Sequence, residues 1–381
     1  MKIVSLQTFL VAPRWLFLRV ETDEGIVGWG EPVVEGRADT VAAAVAEMAE
    51  HLVGQDPLRI EDHWQVMTKS AFYRGGPILS SAVAGIDQAL WDIAGKAYGQ
   101  PVHQLLGGPV RDRVRMYTWI GGDDPSELGE AAGRQRAAGL TAVKMNASGR
   151  MTFIDTPAQT RDVVARAEEV RAALGDELDV AIDFHGRLSI AMASRVLPRL
   201  EHVGPLFVEE PVVPELGNSL PRLTASTSIP IATGERLFSR WDFRPLLDSG
   251  IAVLQPDLSH AGGISEVRRI ASMAEAWGLA LAPHCPLGPI ALAASLQIDL
   301  AVPNFLIQES GLGIHYNATA DLLDYLVDTT VFTIHDGHID RLRGPGLGIE
   351  VDEDAVRRAA EVGHTWRTPL WRHVDGALAE W

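Results

Sequence analysis

From residue 115 to residue 308 the chain repeats one pattern eight times: a short apolar run, then a stretch with helical spacing. The runs are 115–120, 142–145, 178–184, 206–208, 230–233, 252–255, 279–283 and 305–308. Strands alternating with helices pair in parallel, and eight such units close into a (β/α) barrel. An open doubly wound sheet is the competing arrangement, weakened because no glycine-rich phosphate loop follows the early strands. An α/β barrel is therefore expected over residues 113–312. Residues 1–112 read differently, as α+β. Residues 2–10 form a first strand, and 16–20 and 26–31 flank Thr22-Asp23-Glu24-Gly25, a hairpin turn. Helical spacing follows over 39–52 and 80–99. Residues 313–381 carry mixed helix and turn signals without further βα units.

The ends of the barrel strands carry the chemistry. The third ends Asp183-Phe184-His185, the fourth Glu209-Glu210-Pro211 and the fifth Gly234-Glu235-Arg236. Asp183, Glu209 and Glu235 are separated by 26 residues at each step, one βα unit. Equal steps place three carboxylates on adjacent strands at the C-terminal mouth, where this fold keeps its active sites. Carboxylates converging in a partly dry pocket repel one another unless a cation compensates. All-oxygen ligation suits Mg²⁺ first, with Mn²⁺ as substitute, and not zinc. Three isolated surface acids would be the bland reading, and their common register argues against it.

Later strands end Gln255-Pro256-Asp257, Pro283-His284-Cys285 and Gln308-Glu309-Ser310. Asp257 and His284 again lie about one unit apart, so the carboxylate can hold the imidazole and raise its basicity, as a general base needs. His185 stands two residues after Asp183, which period-two alternation turns towards the same side. Cys285 and Glu210, next to functional positions, should face away.

Composition narrows the partners. The net charge is −17 and no run of Lys or Arg could track a phosphate backbone, which speaks against nucleic acid and against anionic membranes. Cys285 is the sole cysteine, so no intrachain disulfide is possible and a reducing cytoplasm is the expected setting. Gln7 and Thr8 break the first apolar stretch, unlike a signal peptide.

The order Asp183, Glu209, Glu235, then Asp257 with His284, then Glu309, resembles the mandelate racemase subgroup of the enolase superfamily. Pro13-Arg14-Trp15, Phe72-Tyr73-Arg74-Gly75-Gly76-Pro77, Pro256-Asp257-Leu258-Ser259-His260-Ala261-Gly262-Gly263 and Trp371-Arg372-His373 are similar to stretches of its sugar-acid dehydratases. The resemblance implies a modified TIM (β/α) barrel with an N-terminal α+β capping domain, completed by the returning C-terminal segment. It implies Mg²⁺-dependent dehydration of an aldonate, galactonate first and gluconate or arabinonate as alternatives, by a homo-oligomer. His284 would take the C2 proton, Glu309 would hydrogen-bond the enediolate, and His185 would protonate the departing 3-hydroxyl. Lys144 and Asn146, with Arg14 and Trp15 of the capping loop, are the expected substrate contacts. The chain departs from the subgroup's racemases by ending strand two Lys144-Met145-Asn146, without their second lysine, which disfavours two-base racemisation. A metal-dependent hydrolase would need a zinc-type histidine pair that Tyr117-Thr118-Trp119 lacks. A carbohydrate-binding relative without catalysis is the remaining alternative.

Overall fold

The computed structural model describes residues 1–122 and 127–381. The chain opens with three antiparallel strands, β1 (Ile3–Val11), β2 (Trp15–Thr22) and β3 (Val27–Gly30), in the order β1-β2-β3. Gly25, at φ 79°, makes the turn between the last two, and Thr22 N–H donates to the Ile26 carbonyl across it at 3.0 Å. Three helices follow: α1 (Ala38–Leu52), α2 (Ile60–Lys69) and α3 (Pro77–Tyr98). Sequence spacing does not single out α2, which buries only Ile60, His63 and Trp64. Helix α3 lies directly on the hairpin. A Cβ on Gly30 would stand 1.9 Å from the Gly85 carbonyl oxygen, so only glycine permits that approach.

The barrel strands are β4 (Arg113–Ile120), β5 (Ala142–Asn146), β6 (Asp179–Asp183), β7 (Val208–Glu209), β8 (Ile231–Thr233), β9 (Val253–Leu254), β10 (Ala280–Leu281) and β11 (Gln308–Ser310). Parallel pairing runs without interruption from β4 to β10. The ring closes where β11 pairs with β4 and where Leu281 bridges to Phe305, so the open-sheet alternative falls. Inside the ring sits a small apolar layer of Tyr117, Ala142, Ala181, Phe207, Ala232, Val253, Ala282 and Ile307, one residue from each strand or its flank. Two large rings among alanines fill the bore, which makes it a core and not a pore.

The C-terminal segment returns in two places. A hairpin, β12 (Ile334–His335) and β13 (His338–Asp340), adds antiparallel to the first half of β4, which the sequence reading did not anticipate. On either side of it in the chain, Tyr325 Oη donates to the Ala12 carbonyl at 2.7 Å and the helix Glu353–Val362 packs against β1. Among the described residues no helix is long and apolar enough to cross a membrane.

Buried acids fasten the capping domain to the barrel helices at their N-termini. The Glu31 carboxylate accepts from the backbone N–H of Gly288 at 2.7 Å and of Ala291 at 2.9 Å, at the start of the helix Pro289–Ala301. Asp87 accepts from Ser265 N–H at 2.9 Å near the start of Gly263–Ala276. These acids satisfy orphan donors and oppose the positive helix ends. Burial nevertheless pushes the Glu31 carboxyl up to about 8, against the two N–H groups that favour its anion. A carboxyl raised on folding stabilises the fold at low pH and loses that contribution as pH climbs through its folded value. Glu31→Gln removes this titration, so its unfolding free energy should fall less steeply than that of the unsubstituted protein between about pH 5 and pH 8. Thermal melts of both proteins across that range check it; parallel slopes would refute the assignment.

Candidate metal and acid–base site

The apolar layer sets the phase of the mouth. One pleat above Tyr117, Ala142, Ala181, Phe207, Ala282 and Ile307 stand Trp119, Lys144, Asp183, Glu209, His284 and Glu309. Residues two apart on a strand share a face, so these side chains rise from the interior into the mouth. Glu235 reaches the same place by another route. It is out of phase with Ala232, and Gly234, at φ 144°, turns the chain so that Glu235 swings inward. A Cβ at 234 would stand 2.6 Å from the Phe243 ring, which restricts that position to glycine.

Ligand oxygens of Asp183, Glu209 and Glu235 all lie within 4.8 Å of one another. Asp183 and Glu209 are completely buried, and one oxygen of each of the three acids (Asp183 Oδ2, Glu209 Oε2, Glu235 Oε2) lacks a hydrogen bond. Three carboxylates crowded together out of water are costly even with cationic side chains beside them, and a hard divalent cation is the partner that three of them in one place can take. The donor set therefore fits the expected metal.

Lys144 stands inside this cluster and not at its edge. Its Nζ is 3.0 Å from Glu209 Oε1, 3.4 Å from Asp183 Oδ2 and 2.8 Å from Glu309 Oε1. Burial alone would lower the lysine, but Glu209 and Glu309 hold it well above its ordinary value. Burial also drives Glu209 well above the carboxylate range, with the Asp183 charge adding to the effect. Asp183 goes the other way: burial would raise it, yet His185 and Lys144 hold it below the usual range.

The two histidines flank the acids. His284 Nδ1 is 2.8 Å from Asp257 Oδ2, and its Nε2 faces Glu235 Oε2 at 3.3 Å. A parallel bridge between Asp257 and His284 carries the ladder past the ends of their strands and fixes that pairing. Burial would lower the imidazole, but Glu235, Glu309 and Asp257 raise it well above the ordinary value. Across the cluster, His185 Nε2 lies 3.0 Å from Asp183 Oδ2. Alternation is not what aims it there, because the strand stops at Asp183. His185 sits in the following turn with a left-handed φ of 48°, and its N–H donates to Asp183 Oδ1 at 2.8 Å. Glu309 accepts from Cys285 N–H at 3.0 Å, while the Cys285 thiol is packed in the core. Glu210 turns aside at φ 37° and pairs with Arg236.

The expected substrate contacts divide. Arg14 and Lys144 line the cavity of about 460 Å³ over the cluster, together with His185, Glu235, His284 and Glu309. Asn146 is buried beside Asp183 in the strand register, with its Oδ1 lacking a hydrogen bond, but it is not part of the cavity wall. Trp15 is a correction. It is wholly buried, stacked on Phe17 at 6.0 Å between centroids with the Tyr325 ring edge-on at 5.9 Å, and no wall of the cavity is made from it. Trp15 and Phe17 are two apart on β2 and share its core face, so packing claims the indole. Wall residues that spacing rules missed are Glu35, Trp119, His260, Tyr316 and Trp381. Trp119 carried a usable signal in its phase with Tyr117, whereas Glu35, Tyr316 and Trp381 lie outside the barrel repeat.

A closed barrel whose mouth joins three cation-ready carboxylates to a histidine–aspartate pair defines a metal-assisted acid–base site. Residues 4–107 match the model of the mandelate racemase/muconate lactonizing enzyme N-terminal domain, and residues 127–355 match the enolase C-terminal domain-like model. The chain belongs to the mandelate racemase/muconate lactonizing enzyme family of the enolase superfamily. It is 55% identical to a D-galactonate dehydratase of Variovorax paradoxus and 53% identical to one of Pectobacterium atrosepticum, over the full length of both chains in each case. An enolase from Agrobacterium radiobacter, crystallised with sodium and L-malate, superposes with a TM-score of 0.90 at 30% identity over the whole of both chains.

Proposed function

We propose that this chain is a hydro-lyase that dehydrates D-galactonate to the 2-keto-3-deoxy acid, with Mg²⁺, or Mn²⁺ in its place, held by Asp183, Glu209 and Glu235. Full-length identity of 53–55% to D-galactonate dehydratases carries the choice of substrate. The placement of His284 and His185 against different acids of the cluster, Glu235 and Asp183, supports the chemistry. When bound, the cation supplies positive charge that makes the proton beside a carboxylate more acidic.

The remaining work falls to side chains. His284, held through Nδ1 by Asp257 at 2.8 Å, takes the C2 proton at Nε2. Lys144 and Glu309, 2.8 Å apart, sit where charge develops on the carboxylate oxygens. His185 gives its Nε2 proton to the 3-hydroxyl as the C3–O bond breaks, and that oxygen leaves as water. The resulting enol becomes the ketone when C3 receives a proton, again from the His185 side. The reaction is then a net loss of one water, with no oxidant or reductant.

The same reading takes residues 1–112, 113–312 and 313–381 as capping domain, barrel and returning segment. It places the enzyme in the cytoplasm as a homo-oligomer. The absence of disulfide chemistry around a single buried cysteine is in keeping with a reducing compartment.

His185→Asn tests the division of labour. Dehydration should fall by about two to four orders of magnitude, while exchange of the C2 proton with deuterated solvent persists. Loss of both in a folded variant that still binds the cation would break the assignment of acid and base.

A further inference from the structure

The three acids are not the only cation-ready group in the mouth. Asp257, His260 and His284 offer one ligand atom each, all within 4.8 Å of one another. The loop after β9 brings the extra ring. His260 N–H donates to the Asp257 carbonyl at 3.1 Å, which folds the histidine back over the acid. Asp257 Oδ1 is taken by the Ser259 N–H at 2.6 Å, so Oδ2 is left for the rings. His284 Nδ1 lies 2.8 Å from that oxygen and His260 Nδ1 3.6 Å. Each imidazole turns its other nitrogen to a separate carboxylate: His260 Nε2 is 3.3 Å from Glu35 Oε2, and His284 Nε2 is 3.3 Å from Glu235 Oε2. Two rings that face one point through Nδ1, each backed by a carboxylate at Nε2, match the way ligating histidines are held around a transition metal. Burial would lower the His260 imidazole, yet Asp257 and Glu35 push it up to about 9, so this spot favours positive charge. Both rings border the cavity, which gives an ion its way in.

We infer that Asp257, His260 and His284 form a second metal site, selective for Zn²⁺ or a similar borderline-soft dication, whose occupation switches the enzyme off. Donor chemistry separates it from the first site. Two imidazoles and one carboxylate suit zinc, whereas three carboxylates suit Mg²⁺. Zn²⁺ bound to His284 Nδ1 displaces the proton there to solvent, and the neutral ring keeps its remaining proton on Nε2. Nε2 then has no lone pair to take the C2 proton, and Asp257 is drawn from the ring to the metal. Inhibition acts on the base itself, so Mg²⁺ at the three acids does not relieve it. The loss of activity rests on the reading of His284 as base; the existence of the site does not.

Zinc counting tests the site without any turnover. Equilibrium dialysis against buffered Zn²⁺ is run on Glu209→Gln, which lacks a working acid site, and on Glu209→Gln/His260→Gln. The first should hold one more zinc ion per chain than the second. Glu35→Gln in the same Glu209→Gln background should keep the ion but bind it about tenfold or more weakly, as loss of a carboxylate behind a ligating histidine does. Equal zinc counts with and without His260 overturn the site, and so does an affinity that ignores Glu35. The Glu35 variant carries the test alone if the His260 variant does not fold. For the switch, the unsubstituted protein with saturating Mg²⁺ and D-galactonate should be inhibited by Zn²⁺. His260→Gln, judged against its own zinc-free rate, should need about tenfold or more Zn²⁺ for the same inhibition. Zinc uptake that depends on His260 yet leaves turnover untouched overturns the switch. Should the unsubstituted protein be inert towards every aldonate, the dehydratase reading fails while the zinc count still decides the site.

Discussion

Replacing His284 by asparagine is expected to lower kcat for sugar-acid dehydration by about a thousandfold, the weight ordinarily carried by a positioned general base. Asparagine keeps a polar group near Asp257 but cannot take up a proton at the mouth. C2 deuterium exchange should disappear with it, in contrast to the His185 variant. Asp257→Asn should act more mildly and reveal the electrostatics. Asp257 is one of the acids that raise the His284 imidazole, through the 2.8 Å contact to Nδ1. A base whose value is lowered stays deprotonated further into acid, so the acid limb of kcat/KM should move to lower pH. An acid limb that moves upward, or a His284→Asn variant with near-normal turnover, would remove His284 from the role of base.

The second large effect concerns the carboxylates. Glu209→Gln should abolish measurable turnover and, with it, the stabilisation that a divalent cation gives the fold. A ligand bound only by the folded state at about a hundred times its dissociation constant adds about 2.7 kcal/mol. The unsubstituted protein should therefore show a clear rise in Tm on adding Mg²⁺ after chelation, with activity restored in parallel. Glu209→Gln should show neither. Zn²⁺ should restore less, since the site offers oxygen and no thiolate. A Tm that ignores Mg²⁺ in the unsubstituted protein would contradict a cation at these three acids.

Much of this site was legible because a barrel converts sequence distance into angular position. The 26-residue steps located Asp183, Glu209 and Glu235 on neighbouring strands. Height was less secure. Asp183 and Glu209 follow the pleat, whereas Glu235 depends on the turn at Gly234, which a count of residues does not reveal. His185 was expected to face the mouth because of alternation, and it does so through a left-handed turn after the strand has ended. Tertiary placement was the least legible. Glu35 and His260 are 225 positions apart and meet only when the capping domain docks, and nothing near Trp15 says that its indole faces the core. Helix α2 is faint in the sequence because its buried face is short, although Ile60, Trp64 and Met67 stand at helical intervals.

The acid staples at Glu31 and Asp87 bear on how substrate gets in. They grip the helices Pro289–Ala301 and Gly263–Ala276, which lie between the strand ends that carry Asp257, His284 and Glu309. Swinging the whole capping domain away would tear those helix starts from their partners and strip buried N–H groups bare. Substrate and product therefore reach the cavity past the side chains and loops of its rim, Pro77, Pro214 and Thr368 among them, while the two domains stay locked.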